Sequence, residues 1–311
     1  LNTGFQILDR AFMEEDEYDE FLSDPSHFLM TKVFPRRHKN LAALSKIGFR
    51  NIFSAGHFAS MQPFSDPDVI EAFLTLAAAG KQMKQWNAGV AYLSGVAAEM
   101  QTTVANQAGQ LAPYDMLADM LRGYLNVPMD LFLIPDKVEA AIGVMETIAM
   151  QSAAQMKQRG VEFCFMPLHG GTDDFMSDET YRKYYWPSLQ RVIEKLISFG
   201  ITPYVFCEGK YNTRLDVIKE VPKGKVIYMF EQVDIVKAKE TLRDVACIGG
   251  NVPGAALVFG KKEDVVEETK RMIDACAPGG GFIMDCSIVL DHYNEEVFEA
   301  WYDTTMNFGK Y

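Results

Sequence analysis

The stretch "VEFCFMPLHGGTDDFMSDETYRKYYWPSLQRVIEKLISFGITPYVFC" (161–207) decides the fold. It opens on a continuous apolar run stopped by Gly170 and Gly171, the pattern of a strand buried on both faces. A helix over 177–200 follows. Ser177 is a good N-cap, Asp178 and Glu179 suit the positive end of the helix, and Gly200 stops it. A second apolar run, 201–207, then ends at Cys207. Strand, helix and strand in this order predict a parallel pair joined by a helical crossover.

The same unit recurs to the end of the chain. Apolar runs at 225–230, 245–250 and 281–287 alternate with helical patterns at 213–222, 235–243, 262–281 and 294–311. Five strand–helix units with apolar strands fit an α/β barrel or a doubly wound sheet. The first half reads differently: it is richer in Met, Ala and Gln and helical over 9–48 and 114–158. Strands within 49–54 and 88–94 are expected to complete part of a barrel. No repeat or linker interrupts the chain, so a single domain over 1–311 is expected.

Composition narrows the class of function. The 311 residues are 48% hydrophobic and 23% charged, ordinary for a globular protein. A formal net charge of −12 argues against nucleic-acid or anionic-membrane partners. No apolar run is long enough to span a bilayer, and no signal peptide opens the chain, so a soluble, cytoplasmic protein is expected. The five cysteines, 164, 207, 247, 276 and 286, are an odd number, which predicts reduced thiols. Cys164, Cys247 and Cys276 read as small core residues; Cys207 and Cys286, at strand ends, read equally as core or as ligands.

"EEDEYDEFLSDPSHFLMTKVFPRRHKNLAAL", "APYDMLADMLRG", "MSDETYRKYYWPSLQRVIEKL", "GNVPGAAL" and "APGGGFIMDCS" together resemble the uroporphyrinogen decarboxylase superfamily. The likeness runs over nearly the whole chain. It implies a (β/α)8 TIM-type barrel with its site at the C-terminal strand ends, and a further strand–helix segment before residue 1. The superfamily holds cofactor-free decarboxylases of carboxylate-rich porphyrinogens and corrinoid-dependent methyltransferases that use zinc. The last-strand position matches Cys286, as in the methyltransferases. The Cys of their His-x-Cys pair matches Cys207, while the His falls on Val205.

Catalytic zinc takes three protein ligands and one open position. The resemblance therefore implies zinc held by Cys207, Cys286 and Glu208, with His169 or Glu231 as alternatives to Glu208. Glu208, His169 and Cys207 are the expected catalytic residues, although Glu208 also reads as an acid or an anchor without metal, partnered by a base such as Arg214. "GGNVPG" places Gly249, Gly250 and Asn251 after a strand, as an anion cradle for a cofactor or as a plain turn. "APGGGF" follows a helix and reads as its cap. Asp173 and Asp174 read as a helix entry, and "YRKYYW" as packing. The expected reaction is methyl transfer between a small molecule and a corrinoid (cobalamin) on a partner corrinoid-binding protein. A cofactor-free decarboxylase is the alternative, and a silent binding protein a third reading; oligomeric state stays open.

Overall fold

The computed structural model describes residues 9–48, 58–286 and 288–310. The chain divides into two compact units, one comprising Ala105–Asp115 and Met145–Tyr311, the other Asp9–Val104 and Met116–Val144. The first holds a sheet of six parallel strands: β1 (Ala108–Gly109), β2 (Phe163–Leu168), β3 (Thr202–Lys210), β4 (Ile227–Gln232), β5 (Cys247–Gly249) and β6 (Phe282–Ile283). Their spatial order is their chain order. A doubly wound sheet must reverse that order at a switch point; this one never does. It is the strand order of a (β/α) barrel.

Helices join the strands where the apolar pattern put them, with shorter bounds. Asp178–Thr180 is capped by Ser177, whose hydroxyl accepts from Thr180 N. The chain then widens through Tyr181–Tyr185 and continues as Trp186–Ser198. Pro187, with no N–H to give the preceding turn, accounts for the change of pitch. The helix after β3 is only Leu215–Ile218, and the one before β6 stops at Cys276. Among the described residues no helix is long and apolar enough to cross a membrane.

The two faces of the sheet differ. Cys164, Met166 and Leu168 of β2, Val205 and Cys207 of β3, and Tyr228 and Phe230 of β4 are buried, and the register lines them up: Val205 beside Met166 and Tyr228, Cys207 beside Leu168 and Phe230. Tyr228 donates its hydroxyl to Ile218 O, so this face carries the helices. The opposite face presents Phe165, Tyr204 and Phe206, half-buried, with Phe165 5.9 Å from Tyr204 and 6.2 Å from Phe206 between ring centroids. Glu208, two residues beyond Phe206, follows on that open face.

The second unit is helical. The stretch expected to be mostly helical, 9–48, is a series of short helical pieces, and Pro25 and Pro35 each fall in the first turn of a new one. Its buried anchor is Asp130, which accepts from Tyr18 Oη at 2.8 Å and Arg122 Nε at 2.6 Å. The strand expected in 88–94 is instead part of a 33-residue helix, Pro67–Glu99. Ala is the commonest residue of that helix, and it is the best helix former. Only its first turns bury side chains, at Val69 and Ala72; Trp86, Tyr92 and Leu93 are exposed. The strand expected in 49–54 lies outside the described residues.

Candidate functional site

The site begins where β2 ends. After Leu168 the chain turns through His169, Gly170 and Gly171, and the turn is held from behind by Asp115. This fully buried carboxylate accepts from His169 N at 3.0 Å, Gly170 N at 2.9 Å and Tyr185 Oη at 2.6 Å. Burial raises its pKa to about 6, and the same hydrogen bonds pull it the other way. Gly171 has to be glycine, because a Cβ there would lie 2.9 Å from the rings of Tyr181 and Tyr185.

The far side of the turn is gripped by Arg214. Its buried guanidinium donates to Gly171 O at 3.0 Å and to Met176 O, and it lies 4.6 Å from the centre of the Tyr181 ring. Arg214 is thus engaged by the loop and does not serve Glu208. Asp173 accepts from Thr213 Oγ1 at 2.7 Å and Asp174 pairs with Lys210 at 3.0 Å. The "YRKYYW" rings stack on one another, Tyr181 5.1 Å from Tyr185 and 6.4 Å from Trp186, as packing.

From β3 comes the second candidate side chain. Glu208 Oε2 lies 3.5 Å from His169 Nε2, with the His169 side chain 32% and the Glu208 side chain 51% exposed. Gly209 follows at φ +78° and donates its N–H to Glu231 Oε2 at 2.7 Å. That left-handed turn is where β3 loses its regular pairing with β4. A solvent-accessible imidazole facing a carboxylate can take up and return a proton.

Beside Gly209, a cleft of about 550 Å³ is lined by Lys210, Glu231, Asn251, Pro253, Gly254 and Cys286, among others. The Cys286 thiol donates to Ile288 O at 3.7 Å, and burial raises its pKa. Of the "GGNVPG" cradle, Asn251 lines the cleft while its amide donates to Val233 O at 2.8 Å. Gly250 gives its N–H to Ile283 O, and a Cβ on Gly249 would collide with the Met229 side chain, so both serve the turn and the packing.

Cys207 lies elsewhere. Alternation along β3 turns it, with Val205, to the helix-covered face, where it is fully buried in the electrostatic range of Tyr181, Tyr211 and Tyr228. Burial holds its thiol well above the ordinary range. Glu208 and Cys207 are adjacent in sequence and opposite in space, so a zinc set of Cys207, Cys286 and Glu208 does not fit this geometry. Among the described residues no three His, Cys, Asp or Glu side chains gather to hold a metal ion. Asp115 is the residue that sequence reasoning missed. Its signal was a carboxylate inside the otherwise apolar "LAPYDML" run.

A family model described as uroporphyrinogen decarboxylase (URO-D) matches residues 51–303. The chain belongs to the uroporphyrinogen decarboxylase family. The (β/α)8 barrel of that family accounts for six parallel strands in chain order, and it puts functional groups at the C-terminal strand ends, where His169, Glu208 and the cleft lie. The fold is also that of a methyltransferase from Methanosarcina mazei, at TM-score 0.53 and 16% identity over 65% of this chain. This chain spans 58% of that protein's length. No curated protein matches this member of the family.

Proposed function

We propose that this family member transfers a methyl group between a small molecule and a corrinoid carried by a partner protein, with His169 and Glu208 handling the proton. The supporting observation is the charge at the strand ends. Glu208, Glu231, Asp173, Asp174 and Asp285 lie at or just past these ends. Among the described residues, Lys210 at the end of β3 pairs with Asp174, and the buried Arg214 donates to Gly171 O and lies 3.6 Å from Asp173, so these two cations are already met by carboxylates. A porphyrinogen bearing many carboxylates needs cations to meet it, and an acidic rim repels it. A neutral or cationic heteroatom compound meets no such repulsion. The decarboxylase alternative is therefore the weaker reading.

A corrinoid on a docked carrier would supply the methyl group and would retain the electron pair of the broken bond. The chain's own residues manage the other partner. As the acceptor's heteroatom attacks the methyl carbon, its hydrogen leaves as a proton to His169 Nε2. Glu208, at 3.5 Å, stabilises the imidazolium that forms. In the opposite direction the imidazolium returns the proton to the departing heteroatom. No step runs through a metal at Cys207.

Methylcobalamin incubated with the protein and a panel of thiol, amine and phenol acceptors tests this. The corrinoid spectrum should change with wild type, and His169→Gln and Glu208→Gln should each slow the change by about tenfold or more, the range of a lost acid–base group. Carbon dioxide release from a porphyrinogen, with methylcobalamin left intact, would decide for the decarboxylase.

A further inference from the structure

Among the described residues, three hydrogen bonds end on Asp115, from two peptide N–H groups and a tyrosine hydroxyl, all uncharged donors. A buried carboxylate is costly, even with the His169 ring in electrostatic range, and a neutral side chain would cap a turn at lower cost. What the carboxylate adds is a second acceptor oxygen. Oδ2 takes His169 N and Tyr185 Oη, while Oδ1 takes Gly170 N. An asparagine offers one oxygen and an NH2 group, which would face one of these N–H donors. Two consecutive peptide N–H groups are thus tied to one rigid group as the chain leaves β2. The first belongs to the residue whose ring meets Glu208.

We propose that Asp115 is a positioning residue: by gripping the His169 and Gly170 amides it holds the His169 ring against Glu208. The inference rests on reading that pair as the working groups. Tyr185 comes from the segment after the turn, and its hydroxyl donates to the same Oδ2 that accepts the His169 amide. Arg214 holds the turn at Gly171 from the other side. Asp115 itself touches no substrate and is buried behind the turn.

The test reads the pair spectroscopically, in protein labelled with ¹⁵N throughout, with the His169 ring signals assigned through His169→Gln. In wild type, Glu208→Gln should shift the His169 ring nitrogens. In an Asp115→Asn background the same change should shift them by less than about a third as much, a coupling lost in the sense of a double-mutant cycle. Denaturant unfolding of Asp115→Asn, showing a folded chain, separates this from general damage. Undiminished coupling in Asp115→Asn would overturn the proposal. Should that variant not fold, wild type still decides: the His169 and Gly170 amides should exchange at least about a hundredfold slower than exposed loop amides, and fast exchange would overturn it. Tyr185→Phe should preserve the coupling; its loss there would assign the role to the hydroxyl instead. A wild type that shows the coupling but transfers no methyl group would sink the proposed reaction and leave Asp115's role standing.

Discussion

Asp115 binds its proton more tightly in the folded chain than in the unfolded one, since burial raises its pKa to about 6. Folding therefore takes up a proton between the ordinary aspartate value near 4 and about 6. The sign follows: the folded chain binds more protons in that window, so this residue's contribution falls as pH rises through it. The loss is absent below pH 4, complete above about 6, and worth roughly 3 kcal/mol if the whole shift is realised. Urea unfolding of wild type and Asp115→Asn at several pH values should give a difference that changes across this window and is flat above it. A difference with no pH dependence would mean that Asp115 is not held as described. The two strand-end thiols make a contrasting pair. Cys207→Ala should leave any bound metal and the methyl-transfer rate within about twofold, while costing about 1–2 kcal/mol in urea unfolding as a small core cavity. Cys286→Ala alters a cleft wall and should change the rate or its acceptor preference. Metal lost from the Cys207 variant alone would contradict its place behind the strand.

Strand β3 is the element on which the site turns, and it shows what a sequence can disclose. Its existence, its direction and the helix before it were legible from one apolar run and one capped amphipathic stretch. Its facing was not. In a parallel strand both faces are apolar, so "YVFC" carries no alternation to say which side chains look outward. A slip of one residue exchanges the faces completely. Anchoring the parity on Cys207 sent it to the wrong side, whereas the charge on Glu208 marked the open face. Two-residue β1 was too short to announce itself, and Asp115 was hidden because its partners come from 54 to 70 residues further along the chain. The end of β3 offers its own test. Gly209 sits at φ +78°, and a Cβ there would lie 2.8 Å from Thr172 Oγ1. Gly209→Ala should cost about 1–2 kcal/mol from the backbone alone and displace Glu208, lowering turnover more than Gly224→Ala, which has a similar φ and no neighbour within 4 Å. Equal effects at both positions would mean that the Glu208 turn has no special role.

Across the whole molecule, strand order settled what the pattern left open. Alternating strands and helices fit two architectures, and pairing each strand with its chain neighbour leaves the barrel. The acidic strand ends belong to this scale too, because they favour one branch of the family's chemistry without any single residue deciding it. Among the described residues, the long helix Pro67–Glu99 has little visible support past Leu76, where its side chains stand mostly in solvent. A ladder of peptide hydrogen bonds that little else covers opens and closes on its own account, without waiting for the rest of the chain to unfold. Deuterium uptake should therefore be rapid from about residue 80 onward and slow in β2 and β3, and a protease should make its first cut between Lys84 and Glu99. If those amides prove as protected as the sheet, something in solution embraces that helix, and the protein is not alone when it works.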